Sequence, residues 1–313
     1  MDLLKYSLKK FALMLLTLFI IITATFFLVN SIPGNPIMAR TINMPPTVVA
    51  ELLKKYAFDK PLLTRYFITI EGLFRGDFGM SVVYEGDTVQ SIIKAKLPVS
   101  AQLGLQQVFL GVSLGLLFGV ISAVKNGSWP DYLVITFAVL ATSIPQLVLA
   151  LLLQKLLAGS FTGLPIIGWN GFKSTILPTL AGSFGYTAFY ARLLKSSILD
   201  VIGQDYILTA ESKGLTQGAV IFRHVLRNSF VPIITYLPMT AAMCVTGSFF
   251  IESVFSIPGL GFYYVNAVSQ RDLSMVLGLT VFISMLLLVV IFVTDILYRL
   301  VDPRIRISGT RER

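Results

Sequence analysis

The chain has 313 residues, of which 55% are hydrophobic and only 13% charged, with a mean hydropathy of +0.79, a balance that excludes an ordinary soluble domain and reads as an integral membrane protein. The single cysteine, Cys244, excludes an internal disulfide, and the single histidine, His224, excludes a histidine-cluster metal site. The formal charge of +9 sits mainly in segments flanking apolar runs, where anionic lipid and topology explain it without nucleic acid.

Residues 1–30 read as a short cytoplasmic N-terminus and a retained first span. The stretch 11–29 carries no charge, follows Lys5, Lys9 and Lys10, and is long enough to cross a hydrocarbon core of about 30 Å. It exceeds the apolar run of a signal peptide, and Ser31-Ile32-Pro33-Gly34 makes a poor cleavage site. Residues 31–98 are amphiphilic and mixed in charge. Pro45-Pro46 opens a predicted helix with Val49, Leu52, Leu53 and Tyr56 on one side, and a second helical piece covers 61–74. The turn signals Asp59-Lys60-Pro61 and Gly76-Asp77-Phe78-Gly79 set these pieces apart, so a sizeable external region packed on a helix bundle is expected here.

Five further spans are predicted in a core of 99–301. The second span, roughly 99–124, sets Gly111, Gly115 and Gly119 on one helical face, where another helix can approach closely. The third, about 132–154, contains Pro145, whose missing donor should kink it. The fourth, 174–191, holds Pro178, Gly182, Gly185 and several hydroxyls, a polarity that suggests burial among helices or a water-lined path. The fifth, about 230–251, carries Pro232, Pro238, Thr240, Thr246 and Ser248, and with the fourth is expected to line the pathway. Glu252 at its outer end is either a gating or substrate residue or an interfacial one. The sixth, 273–294, is uniformly apolar and ends at Asp295 and Arg299, read as an i,i+4 pair, before the basic tail 302–313. Basic residues concentrate on the side of the termini and of the loop between the fourth and fifth spans, against Lys155, Lys173 and Arg271 in the short loops opposite. Both termini are therefore expected in the cytoplasm.

The stretch 205–232, DYILTAESKGLTQGAVIFRHVLRNSFVP, is a polar interruption. Asp205 can cap a two-turn helix that Gly214 ends, and a second helix starts near Thr216 with Val220, Ile221, Val225 and Leu226 at helical spacing. By charge alone this is a solvated loop. Its order of residues resembles the cytoplasmic signature of ABC importer permeases: Tyr206, Thr209-Ala210, Lys213-Gly214-Leu215, Arg223-His224 and Leu226-Arg227-Asn228. The general signature begins Glu-Ala-Ala and ends Ile-x-Leu-Pro, where this chain has Leu208-Thr209-Ala210 and His224 to Arg227; those departures suit the peptide and nickel branch. Pro33-Gly34-Asn35-Pro36, Asp59-Lys60-Pro61-Leu62, Gly76-Asp77-Phe78-Gly79, Pro258-Gly259-Leu260-Gly261 and Asp302-Pro303-Arg304 extend the resemblance over nearly the whole chain.

The resemblance implies an all-α, six-span permease of the type I ABC importer fold in a bacterial or archaeal cell membrane, one of two permease chains lining a pathway. It implies one or two kinds of ATP-binding subunit, which hold ATP and Mg, and an extracytoplasmic peptide-binding protein. The chain itself is then a non-catalytic subunit with no cofactor, no metal and no nucleic-acid partner. A coupling loop of about 196–228 would dock on the ATPase through Asp205, Tyr206, Thr209, Ala210, Glu211, Lys213, Gly214, His224 and Arg227, with Ala210 and Gly214 leaving room for the partner surface. Pro238, Thr246, Ser248 and Glu252 are pathway or gating candidates, and Pro258, Gly259, Leu260 and Gly261 candidates for contact with the binding protein. Peptide is the favoured substrate; nickel or another small solute fits the same architecture.

Other classes fit less well. No Gly-x-x-x-x-Gly-Lys-Ser/Thr loop occurs, Lys173-Ser174 following Phe172 rather than Gly, so ATP would have to be hydrolysed elsewhere. An intramembrane serine protease built on Ser248 would want a histidine on a nearby span, and His224 lies in the polar loop. An ion-driven secondary transporter would show more intramembrane carboxylates or an inverted repeat.

Overall fold

A computed structural model describes residues 3–34, 37–38, 41, 44–159, 162–245 and 248–301. Among them the regular structure is helical, with two isolated bridges, Met80 to Thr88 and Gly159 to Leu164. Asn35, Pro36, Thr246 and Asp302-Pro303-Arg304 lie outside the described residues, as do the side chains of Glu211, Cys244 and Arg299. The chain forms two compact units, one of residues 1–96 with 263–313 and one of 97–262.

In the first unit, helix α1 (Leu3–Asn30) packs along the last helix, α14 (Leu273–Val301). Phe11 meets Phe292 edge-on at 5.9 Å, and Ile22 and Phe26 of α1 form a core with Leu277 and Val281 of α14. Both helices leave most of their apolar surface uncovered within the chain, as a lipid-facing helix does. Asp295 pairs with Lys10 of α1 at 2.6 Å, a partner 285 residues away in sequence that the sequence reading did not name; the side chain of Arg299, its expected i+4 partner, lies outside the described residues.

Between these helices lie α2 (Pro46–Lys55) and α3 (Leu62–Phe74). Pro46 sits in the first turn of α2, where its missing donor costs nothing. Val49, Leu52, Leu53 and Tyr56 are the half-buried positions there, the face that the periodicity predicts. In α3, Tyr66 is buried between Phe26 and Phe27, and its hydroxyl meets that of Thr23 at 2.8 Å. Asp272, buried just before α14, accepts hydrogen bonds from the Ser81 hydroxyl at 2.5 Å and from the Val82 and Val83 amides at 3.1 Å each. It also accepts the Met275 amide at 3.1 Å, and so fixes the turn after α3 to the start of the last helix. Burial, and after it the Asp272 carboxylate, push the Tyr56 hydroxyl up from the ordinary tyrosine range.

Helix α4 (Val89–Val124) is a single helix through Pro98, so it begins well before the expected residue 99. In the second unit it lies against α7 (Lys173–Ile202), with the glycine face doing what its spacing implies. A Cβ on Gly111, Gly115 or Gly119 would come within 2.9 Å of the carbonyl oxygen of Ser183, Thr187 or Ala191, one turn after another. That approach needs glycine. Helix α7 covers the predicted fourth span, and it is buried within the unit along most of its length, with hydroxyls such as that of Thr187 turned onto helix carbonyls, here Ser183 at 3.0 Å.

The expected kink at Pro145 is a break. Helix α5 (Trp129–Ser143) and α6 (Gln146–Leu157) meet at 107°. Pro145 cannot donate and disfavours a helical residue before it, so Ile144 turns extended, with φ −82° and ψ 123°. The fifth span is likewise not one described helix: α11 (Val231–Val245) runs through Pro238, and α12 (Phe249–Val254) follows separately. By length and apolarity three helices can each cross a membrane, and the bent α5–α6 pair makes a fourth crossing if it counts as one span.

Candidate functional site

The signature segment folds as α8 (Asp205–Ser212), a turn at Gly214, α9 (Gln217–Val220), a π-helical turn (Ile221–Val225) and α10 (Leu226–Ser229). Gly214 takes φ +80°, the left-handed conformation that ends a helix at least cost in glycine. Ile207 and Ala210, three apart, face inward and join Leu194 and Ile198 of α7, Val220 and Val225 in one core. Ala210 is 7% exposed and fills the chain's own interior, contrary to the expectation that it leaves room for a partner. Asp205, Tyr206, Thr209 and Lys213 are exposed. The Tyr206 hydroxyl accepts a hydrogen bond from the Asn228 amide at 2.9 Å, tying α8 to α10. His224 is half-buried in the π turn and Arg227 exposed beyond it. Two residues that sequence reasoning passed over stand out on this surface: Leu208 is 58% and Phe222 74% exposed.

The C-terminal part of α7 is held by an ion pair that the sequence reading missed. Asp131, 2% exposed in the first turn of α5, accepts the Lys195 ammonium at 2.5 Å and the Gly127 amide at 2.9 Å. The Ser122 hydroxyl of α4 binds the same carboxylate. Three helices thus meet at one buried charge, beside the Leu194 that packs on α8.

Of the pathway candidates, Ser248 donates its hydroxyl to Gln107 Oε1 at 2.7 Å, and its amide reaches Glu252 Oε1 at 3.0 Å. Glu252 is fully buried and accepts the Gly261 amide at 2.7 Å and the Phe262 amide at 3.3 Å. The Leu260 amide donates to the Ser100 hydroxyl at 2.7 Å. A Cβ on Gly259 or Gly261 would run into the Glu252 carboxylate, which accounts for glycine at both positions. Glu252 is therefore the anchor of the Pro258-Gly259-Leu260-Gly261 turn. Gly259, Leu260 and Gly261 are buried, unlike a contact surface, and Pro258 is half-buried. Pro238 is half-buried in α11.

A cavity of about 660 Å³ opens in the second unit, walled by the α5–α6 break, by α7 from Ala181 to Phe189 and by α11 from Tyr236 to Met243. The predicted fourth and fifth spans supply two of its walls.

The profile of the family described as binding-protein-dependent transport system inner membrane component matches residues 115–307. The dipeptide transport system permease protein DppB of Lactococcus lactis subsp. cremoris is 40% identical over 303 residues, covering 97% of this chain and 99% of that protein. The oligopeptide transport system permease protein OppB of Salmonella typhimurium is 38% identical over 305 residues, covering 97% and 99%. The chain belongs to this family: it is a permease subunit of the ABC importer class. Among solved structures, a chain of an amino acid ABC transporter superposes with a TM-score of 0.53 at 16% identity, covering 69% of this chain and 94% of its own. A chain of the methionine ABC transporter MetNI gives 0.52 at 17%, covering 68% and 97%. At that identity the likeness shows the fold, that of type I importer permeases.

Proposed function

We propose that this chain is the membrane-spanning half of the translocation pathway of an ATP-driven importer of dipeptides or oligopeptides. What carries the reading is the near-full-length identity to dipeptide and oligopeptide permeases, 40% over 97% of the chain in one case, since it leaves no large part of the protein to another task. A second permease chain completes the pathway, one or two ATP-binding subunits hold and hydrolyse ATP with Mg, and an extracytoplasmic binding protein delivers the peptide. Six spans place both termini and the signature segment in the cytoplasm, residues 31–98 outside and the core in 99–301. In that arrangement α8 is the coupling helix. Its inward face, Ile207 and Ala210, supports a rigid unit with α7, and its outward face, with Tyr206, Thr209 and Lys213, supports docking. The turn after α12 supports contact with the binding protein through Pro258 and through the shape that Glu252 gives the loop rather than through the buried glycines.

The test is purification from the native host under mild detergent with a C-terminal tag. Recovery of a second permease chain with one or two ATPases is expected, whereas the chain alone, stable and without a nucleotide-hydrolysing partner, would contradict the proposal. Gly214→Trp has open space for its Cβ but a strained φ of +80°. It should insert normally yet recover at least tenfold less ATPase; full recovery with normal transport would count against the docking role.

A further inference from the structure

The cavity beside the α5–α6 break carries more than a packing defect. Its walls hold Phe184, Tyr186, Phe189 and Tyr236 with Met239 and Met243, and no charged side chain lines it. Aromatic rings and thioethers make a surface that adapts to side chains of different shape without requiring one partner geometry. A volume of about 660 Å³ lies within the range of sites that enclose a small ligand. Gly182 and Gly185 lie in the α7 wall, and a Cβ on Gly185 would meet nothing within 4 Å.

The polar lining of the cavity is the interrupted backbone together with the side chains of Thr142, Gln146, Tyr186, Tyr236 and Thr240. Ile144, Pro145 and Gln146 line it where the helix is interrupted. Pro145 has no amide hydrogen, so the helix offers no donor to the Ala141 carbonyl, and the first-turn amides of α6 lie outside that helix's own bonds. The Thr142 hydroxyl is turned back onto the Ala138 carbonyl at 2.9 Å and so does not serve these backbone groups. Lipid tails can supply no hydrogen bond. Interrupted backbone within a membrane protein is tolerated where it is buried in protein or faces a wet cavity, and so an occupant that displaces the water must bring both apolar surface and hydrogen-bonding groups. A peptide does both: its side chain suits the aromatic and methionine wall, and its amides suit the break.

We propose that this cavity is a transient binding site for an uncharged side chain and the adjoining backbone of the transported peptide, giving the permease itself a share of the selectivity. The proposal rests on the peptide-import reading.

The experiment fills the cavity in the complete importer, with both permeases, the ATPases and the binding protein in proteoliposomes. Uptake of labelled dialanine and diphenylalanine is compared for the unsubstituted complex, for Gly185→Phe, and for Met239→Trp from the opposite wall. The expected result is a loss of roughly tenfold or more in diphenylalanine uptake, with dialanine within about twofold, the size of discrimination that apolar pockets achieve. Equal effects on both peptides in both variants would overturn the site and favour lipid as the occupant. Failure of both variants to assemble with the second permease would overturn it in favour of a permease–permease interface. If the unsubstituted complex took up neither peptide, the import reading itself would fall, and the ligand with it.

Discussion

Asp131 sits where a charge is costly unless it is matched, and Lys195, Ser122 and the Gly127 amide match it together. Asp131→Asn strands the largely buried Lys195 ammonium, and removing one partner of such a pair costs about 3 kcal/mol. The variant should unfold several degrees earlier in detergent, and Asp131→Asn combined with Lys195→Met should recover much of the loss; an unchanged melting temperature for the single variant would argue that water replaces the pair. This site was not legible in the sequence. Asp131 and Lys195 are 64 residues apart, and each alone reads as an ordinary loop or helix-end charge. Glu252 was legible as an unusual carboxylate near a span, but its three amide donors come from both sides of a turn and follow only from the fold. Gly214 was fully legible, because a glycine between two amphipathic helical pieces has a backbone reason to be there.

At the scale of elements, α8 and the π turn each expose a large apolar side chain, Leu208 and Phe222, in a segment where Lys213 and Arg227 are exposed as well. Large apolar side chains that are exposed on a free subunit and surrounded by charge are the residues that interfaces bury at their centres. Leu208→Asp with Phe222→Asp should therefore release the ATPase subunits, with at least a hundredfold loss of affinity, while leaving the melting temperature of the isolated chain within about 2 °C. A cold-stable variant that still binds ATPase would move the docking surface elsewhere. The periodicity of 205–229 predicted which residues point inward, since Val220 and Val225 recur at helical spacing, and it placed the first helix correctly. It missed the π turn, which depends on one extra residue in the hydrogen-bonded ring and leaves no mark in composition, and with it the exposure of Phe222 inside that turn. Pro145 announced an interruption but not its 107°, because the angle is set by what α5 and α6 pack against on α7. The glycine face of α4 was read for close packing and is packed that way, since three absent side chains one turn apart leave few other uses.

At the scale of the whole molecule, α1 and α14 are apolar nearly all round and covered little by the chain itself, whereas α7 is polar and covered along its length. α1 and α14 have the surface of helices that meet lipid, and α7 that of a helix packed among others within its own unit. α7 links two features of its unit: one end packs on the signature segment through Leu194 and Ile198, and its middle forms a wall of the cavity. Movement of α8 would reach that wall through a single stiff helix of roughly 45 Å, the length of its 30 residues. The most direct test of the central claim is ATP-dependent uptake of a labelled dipeptide by proteoliposomes that hold this chain with its second permease and ATPases, the binding protein being supplied outside. Uptake that requires ATP, the binding protein and this chain together is the predicted result; peptide accumulation by this chain alone on an ion gradient, or no accumulation by the complete complex, would contradict it.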